Sequence, residues 1–169
     1  MKRLYLLRHA KSSWDDPELA DRDRPLAPRG RRAVALVAAH LRRERVSPEL
    51  VLCSSALRTR QTLASILPAL EGDVEVRVEN VLYAAGVDDL LARLRSVPES
   101  VDSVMLIGHN PGLQELALTL AADDSTLERV RERFPTGALA TLVFREATWS
   151  ALGAGDAVLA GYVVPRELE

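Results

Sequence analysis

The sequence lacks most features of secreted, membrane and disordered chains. Only one of its 169 residues is a cysteine, so no intramolecular disulfide can form, and a reducing cytoplasm fits. No apolar run reaches the roughly 18 residues that a membrane-spanning helix needs. The first apolar stretch, Leu4–Leu7, is shorter than the core of about 7–15 residues in a signal peptide. We therefore expect a cytoplasmic protein with no membrane partner.

Charge and composition narrow the class further. The chain has 22 Lys and Arg against 24 Asp and Glu, a net charge of −2, so no global basic excess indicates a nucleic-acid partner. Hydrophobic residues make up 47% and charged residues 27%, which is ordinary for a globular protein. There are no repeats or low-complexity tracts. We expect a single domain over residues 1–169.

Short apolar strands alternate with helical patterns up to about residue 121. Strands are predicted at residues 4–7, 50–53, 74–78 and 104–107, with helices at 31–43, 63–70, 87–94 and 113–120. Ser54 or Ser55 is the expected N-cap of the second helix, and Pro111 opens the fourth. A short charged helix is predicted at 126–133, and two late strands at 138–144 and 157–164 could extend the sheet as a hairpin. The alternation predicts an α/β fold, with helices on both faces of a mostly parallel sheet.

Unusual polar residues follow three of the predicted strands. Arg8 and His9 end the first, Arg58 follows the second and His109 follows the fourth. Because ligands of such sheets bind at the carboxyl ends of the strands, these residues should share one rim. Each alone has an ordinary explanation: a core histidine, a surface ion pair or a helix cap. Together they indicate an anionic ligand, and a phosphoryl group best suits two guanidinium groups.

The segments that carry these residues resemble the signatures of the histidine phosphatase superfamily. They are R-H-A-K-S at 8–12, S-S-A-L-R-T-R-Q-T at 54–62 and G-H-N-P-G at 108–112. The loop D-R-D-R-P-L-A-P-R-G at 21–30 is similar to that of the SixA-type phosphohistidine phosphatases. The resemblance covers residues 2–122. It implies a three-layer α/β/α, phosphoglycerate mutase-like fold and a phosphatase without a cofactor or metal.

The resemblance also implies roles for individual residues. His9 matches the nucleophile that becomes a covalent phosphohistidine, and its second nitrogen needs an acceptor, which we expect to be a backbone carbonyl. Arg8 and Arg58 match the arginines that clamp the phosphate. His109 matches the second histidine, which we expect to be protonated beside the phosphoryl oxygens. Further donors to the phosphate or substrate are expected from Lys11, Ser12 and Asn110.

The sequence offers no clear general acid. Glu79, after the third strand, is the nearest candidate, whereas Asp88 and Asp89 read as first-turn residues of the next helix. A site without an acid suits phosphohistidine, because imidazole leaves more readily than an alkoxide. If Glu79 enters the site, a small phosphate monoester becomes an alternative substrate. The same residues would also allow a mutase, an inactive phosphate-binding module or a zinc site, although the two arginines disfavour zinc.

The partner is therefore expected to be a phosphorylated protein or a small phosphorylated molecule. The connections between the motif strands are short, which favours an open site. The loop at 11–30 is long, polar and rich in proline, and such loops are often functional. We expect this loop, with Trp14, to form a lid or a docking edge. Alternatively, Trp14 is a hydrophobic plug that holds the loop down.

Overall fold

A computed structural model describes all 169 residues, Met1–Glu169. Its centre is one sheet of six strands in the spatial order β3-β2-β4-β1-β5-β6. The strands are β1 Lys2–Arg8, β2 Leu50–Ser54, β3 Glu75–Glu79, β4 Ser103–Gly108, β5 Leu139–Phe144 and β6 Val158–Val163. Strands β1 to β4 pair in parallel, and β5 runs antiparallel to both of its neighbours, β1 and β6. The mostly parallel sheet predicted from the sequence is confirmed, and the two late strands do extend it.

Five α-helices flank the sheet. They are α1 Pro28–Arg43, α2 Leu57–Ile66, α3 Val87–Arg95, α4 Gly112–Leu120 and α5 Glu128–Glu132. None of them is both long and apolar enough to cross a bilayer. The predicted serine cap of α2 is wrong, because Ala56 is the N-cap residue and makes no side-chain cap. Pro111 opens α4 as predicted, as the N-cap residue directly before Gly112.

Alternating residues of each central strand point into two separate cores. On one face, Leu4 and Leu6 of β1 join a cluster of 26 buried residues that includes α3, α4 and α5. On the other face, Tyr5 and Leu7 join a cluster of 16 that includes α1 and α2. Because the side chains of a strand alternate between faces, a strand covered on both sides must be apolar throughout. This explains the short apolar runs in the sequence and gives the three layers α/β/α.

Cys53 belongs to the second of these cores. It is fully buried, and burial raises the pKa of its thiol to about 12. The thiolate is the reactive form of cysteine, so this thiol is inert at neutral pH. In this position Cys53 packs as a small buried hydrophobic residue.

The loop after β1 is fastened to the start of α1. Ser12 and Leu26 form an isolated antiparallel bridge, and the Ala27 amide donates to the Lys11 carbonyl at 2.9 Å. The backbone of Gly30 passes so near that a Cβ there would lie 2.1 Å from the Lys11 oxygen. Position 30 therefore requires glycine for this close approach. The attachment holds residues 11–27 along the rim where β1 ends.

Candidate active site

The carboxyl ends of β1 and β4 bring the two signature histidines together. The His9 amide donates to the Gly108 carbonyl at 3.1 Å, and the Gly137 amide donates to the His9 carbonyl at 3.0 Å. His109 follows β4 directly, and its ring centroid lies 5.2 Å from that of His9. Both histidines are more than nine-tenths buried. Backbone pairing on both sides therefore fixes the position of the His9 ring.

A cleft of about 330 Å³ opens over these histidines. All four residues predicted to share the rim line it, namely Arg8, His9, Arg58 and His109. The other lining residues are Lys11, Ser12, Trp14, Arg24, Asn110 and Thr136. Four of the ten side chains are cationic and none carries a carboxyl group. The charge of the cleft therefore suits an anion, and a phosphoryl group fits its size.

The hydrogen bond of the His9 ring fixes its tautomer. Its Nδ1 lies 2.7 Å from the Ala10 carbonyl oxygen, which can only accept, so Nδ1 carries the proton. Burial is the largest cause that lowers the pKa of His9, to about 3, and His109 and the two arginines lower it further. At neutral pH the ring is therefore uncharged and its Nε2 holds a free lone pair. The Ala10 carbonyl is thus the backbone acceptor expected from the sequence. A neutral ring with a free lone pair is the state that nucleophilic attack requires.

His109 differs from the sequence-based expectation of a protonated ring. Burial first, and Arg58 next, lower its pKa to about 4, so it is neutral at neutral pH. Its Nε2 lies 2.7 Å from Ser54 Oγ, and Arg58 Nη2 approaches its Nδ1 at 3.4 Å. Because a guanidinium only donates, Nδ1 accepts and Nε2 carries the proton. The Ser54 side chain thus holds the His109 ring.

The two arginines reach the cleft from different elements. Arg8 Nη1 donates to the Phe134 carbonyl at 3.0 Å, while its Nε is buried and has no hydrogen-bond partner. Burial lowers the pKa of Arg8, and Arg58 adds to this effect. An unpaired buried donor is costly in a folded protein.

Asp21 orients Arg58, and sequence reasoning gave it no part in the site. Arg58 Nη1 donates to the Asp21 carbonyl at 2.8 Å, and Nη2 donates to Asp21 Oδ2 at 3.0 Å. Tyr83 also donates to Oδ2, and Arg24 Nη1 donates to Oδ1 at 3.0 Å. The hydrogen bond from Tyr83, followed by those from the arginines, lowers the pKa of Asp21 to about 2. Asp21 is the first residue of the D-R-D-R-P-L loop, whose resemblance to the SixA-type proteins was a signal in the sequence. The partners of Asp21, Arg58 and Tyr83, are distant in sequence, so no local pattern shows these contacts.

The three further donors expected beside His9 differ in their contacts. Lys11 is exposed and lines the cleft. Ser12 is buried there and accepts a hydrogen bond from Arg24. Asn110 lines the cleft, but its side-chain amide donates to the Phe134 carbonyl at 3.0 Å and to Gln114 Oε1 at 3.4 Å. The amide protons of Asn110 are therefore already used within the fold.

Glu79 is the predicted site residue that the structure does not bring to the cleft. Its two carboxylate oxygens accept from Arg93 Nε at 2.7 Å and from Nη2 at 3.0 Å. Glu79 ends the edge strand β3, and Arg93 lies on α3 beside it. A bidentate ion pair with a neighbouring helix thus occupies the candidate acid. The sequence pattern contained no sign of this pair.

Trp14 lies on the rim with 74% of its surface exposed. Its ring is covered on one side by Arg24, whose Cζ lies 3.2 Å from the ring centroid. A residue this exposed is not a hydrophobic plug. The structure thus favours an edge that contacts the substrate, with a cation–π contact holding the indole in place.

The neutral histidines predict a fall in stability as the pH drops. The folded-state pKa values of about 3 for His9 and about 4 for His109 lie below the ordinary 6.5, so the unfolded chain takes up protons first. This stabilisation is complete above about pH 6.5 and is lost as the pH falls toward the folded values. Between these limits, each histidine is expected to lower the free energy of unfolding by up to about 1.4 kcal/mol for each unit by which the pH falls. Urea unfolding between pH 7 and 4.5 measures the slope.

Variants distinguish the contribution of the histidines to the pH dependence of stability from that of the carboxylates. His9→Asn and His109→Asn should each flatten the slope of unfolding free energy against pH, whereas His40→Asn, on α1, serves as the control. NMR of the imidazole nitrogens at pH 5.5 should show His9 protonated on Nδ1 and His109 on Nε2. An imidazolium signal from either ring at that pH would contradict the prediction.

Known proteins are similar to this chain in sequence and in fold. Residues 4–83 match the family model of the histidine phosphatase superfamily, branch 1. An uncharacterized protein of Mycobacterium tuberculosis is 38% identical over 164 residues, which cover 95% of this chain and all of the relative. An uncharacterized chloroplastic protein of Arabidopsis thaliana is 39% identical over 130 residues, covering 71% of this chain and 59% of the relative. The similarity to the mycobacterial relative thus extends well beyond the segment of the family model.

Two solved structures are closely similar. A protein from Nakamurella multipartitia, provisionally assigned as phosphohistidine phosphatase SixA, has a TM-score of 0.84 and 32% identity, covering 97% of this chain and 96% of that one. The protein histidine phosphatase SixA complexed with tungstate has a TM-score of 0.81 and 26% identity, covering 99% of both chains.

Together with the fold and the cleft, these similarities define the class of protein. The chain belongs to the histidine phosphatase superfamily, and its fold is phosphoglycerate mutase-like. Within that superfamily it belongs to the SixA-type branch.

Proposed function

We propose that this protein hydrolyses phosphohistidine in another protein, through a covalent phosphohistidine formed on His9. The observation that carries the proposal is the composition of the cleft: a neutral histidine stands among four cationic side chains, and no carboxyl group lines the cavity. Such a site can receive a phosphoryl group but has no evident acid to protonate a leaving alkoxide. It suits a substrate whose leaving group departs without that help.

Phosphohistidine is such a substrate. When the second nitrogen of its ring carries a proton, the group leaves as neutral imidazole, whose conjugate acid has a pKa near 6.5. Neither Glu79 nor Asp21 replaces an acid, since Glu79 is paired with Arg93 and the pKa of Asp21 is lowered to about 2. The proposed substrate therefore follows from what the leaving group needs.

In the first step the lone pair on His9 Nε2 attacks phosphorus, and the P–N bond to the substrate imidazole breaks. The electron pair of that bond leaves with the substrate ring, which becomes neutral histidine. The bond from His9 Nδ1 to the Ala10 carbonyl keeps the ring oriented throughout. In the second step water attacks the phosphorus, the P–N bond to His9 breaks, and inorganic phosphate leaves. The protons of the water go to the phosphate and to solvent.

Positive side chains stabilise the charge that spreads over the phosphoryl oxygens in both steps. Arg8 lines the cleft, and Arg58 is held in place by Asp21. Ser54 and Arg58 hold the neutral His109 ring beside the phosphoryl group.

A protein is the proposed carrier of the phosphoryl group. The cleft lies at the surface, and the exposed Trp14 stands on its rim. The similar structures include one of a protein histidine phosphatase. That structure contains tungstate, a tetrahedral oxyanion like phosphate, which supports a phosphoryl group as the ligand of this fold.

The leaving group provides the test of this proposal. A phosphohistidine peptide is expected to have a kcat/KM about 10²-fold or more above that of the same peptide with phosphoserine. A general acid typically contributes a rate factor of at least this size, and the cleft lacks one. Glu79→Gln should leave both rates within about threefold of the parent protein, because Glu79 does not touch the cleft. Release of inorganic phosphate measures both substrates.

Glu75→Gln, at the start of the same strand, is the matched control for loss of one surface carboxylate. Faster hydrolysis of phosphoserine than of phosphohistidine, combined with its loss in Glu79→Gln, would overturn the proposal. That outcome would identify a phosphomonoesterase instead.

A further inference from the structure

A second, larger groove adjoins the cleft. It has a volume of about 730 Å³ and shares Lys11 and Thr136 with the cleft, so the two form one continuous surface. Four separate segments build it: the loop after β1, the first turns of α1, the end of α5 and the residues around β6. A ligand that fills the cleft with its phosphoryl group can therefore extend into this groove.

The groove concentrates positive charge in a chain that is negative overall. Six cationic side chains line it, namely Lys11, Arg29, Arg32, Arg129, Arg133 and Arg166. Two carboxylate side chains oppose them, Glu132 and Glu169. Of the six cations, Arg129 alone has a carboxylate within 4.0 Å, that of Glu167. Five cations are thus left without a carboxylate partner.

The start of α1 is an unfavourable place for these charges. The amino end of a helix carries a partial positive charge, which favours acidic side chains there. The first turn of α1 contains no acidic residue, and Arg29 and Arg32 project from this end into the groove. Because Arg29 and Arg32 line a groove beside the cleft, an anionic ligand bound in the groove would compensate their charges.

The floor of the groove is partly apolar. Leu36, Tyr162 and Val164 contribute to it, together with Pro135 and Pro165. A floor of this kind beside spaced cations suits a polypeptide, whose acidic side chains alternate with apolar ones. It offers less to a compact second phosphate, which needs its donors to converge on one point.

We propose that this groove, lined by Lys11, Arg29, Arg32, Arg133 and Arg166, binds an acidic segment of the protein that carries the phosphohistidine. This inference rests on the proposed function and adds a substrate class to it. The acidic segment docks in the groove while its phosphohistidine enters the cleft. The contacts in the groove are the same in the ground state and in the transition state. Their loss should therefore raise KM and leave kcat unchanged.

The test compares three phosphohistidine substrates: a peptide with acidic flanking residues, the same peptide with glutamine in their place, and phosphoimidazole. In the parent protein the acidic peptide should have the lowest KM, and added salt should raise that KM. The Arg29→Glu/Arg32→Glu double variant should raise KM for the acidic peptide by about 10-fold or more at unchanged kcat. Phosphoimidazole should be hydrolysed as by the parent protein.

Arg31→Glu is the matched control. Arg31 lies in the same turn of α1 and is exposed, but it does not line the groove. Its variant experiences the same helix end and the same loss of charge per substitution, half that of the double variant, and it should hydrolyse the acidic peptide as the parent does. An equal rise in KM for Arg31→Glu would reduce the effect to general electrostatics and overturn the proposal.

Other outcomes separate the two proposals. If the parent protein hydrolyses phosphoimidazole but does not distinguish the acidic peptide from the glutamine peptide, the groove proposal is wrong and the proposed function stands. If it hydrolyses none of the three, the proposed function fails first. If an oligonucleotide competes and an unphosphorylated acidic peptide does not, the groove binds a different polyanion and the groove proposal is wrong.

Discussion

Replacement of His9 with alanine is expected to lower kcat by about 10⁴- to 10⁶-fold, the loss typical when a catalytic nucleophile is removed. His109 does not offer an equivalent nitrogen, since its Nε2 is protonated and bonded to Ser54 and its Nδ1 faces Arg58 at 3.4 Å, and Cys53 is buried in the core. After brief exposure to a labelled phosphodonor and denaturation, the parent protein should retain acid-labile, base-stable label. The His9→Ala variant should retain none.

His40→Ala is the matched control, because His40 lies on α1 and does not line the cleft. It should keep the label and the turnover of the parent protein. The His9→Ala variant should still fold, which thermal unfolding and binding of tungstate can verify. Covalent label in that variant would show that another residue is the nucleophile.

Replacement of Arg58 with alanine should have the second largest effect, a fall in kcat of about 10²- to 10³-fold. Arg58 is a preorganised donor: it is 7% exposed and is held by both the carbonyl and the carboxylate of Asp21. Its loss removes positive charge where negative charge develops on the phosphoryl oxygens. Steady-state kinetics with a phosphohistidine peptide measure the change.

Conservative and neighbouring variants test whether this effect depends on geometry. Arg58→Lys keeps the charge but loses the planar fork, so it should recover part of the loss. Arg60→Ala, two residues along α2 and exposed, should behave as the parent protein. If Arg58→Ala alters KM alone, then Arg58 contributes to substrate binding and not to the transition state.

The fold and the centre of the site were predictable because they depend on short-range pattern and one topological rule. Buried parallel strands require continuous apolar runs, so β1, β2 and β4 stand out in the sequence. The rule that ligands bind at the carboxyl ends of such strands then placed His9 near His109. Neither step requires knowledge of side-chain partners.

What could not be predicted depends on partners from distant segments. Asp21 orients Arg58, 37 residues away, and Arg93 of α3 binds Glu79 at the end of β3. The neutral state of His109 arises from its burial beside Arg58, and no local pattern reports burial. Ser54 was expected to cap α2, yet its hydroxyl lies against His109. Each of these contacts forms only when the chain has folded.

The burial of Cys53 has a consequence for the conditions that the protein can withstand. Peroxide and other electrophiles attack accessible thiolates, and a phosphatase with a cysteine nucleophile loses its activity in that way. Here the one thiol is fully buried, with its pKa raised to about 12, and the proposed nucleophile is an imidazole. Dephosphorylation by this protein would therefore continue under oxidative stress that silences thiol-dependent enzymes.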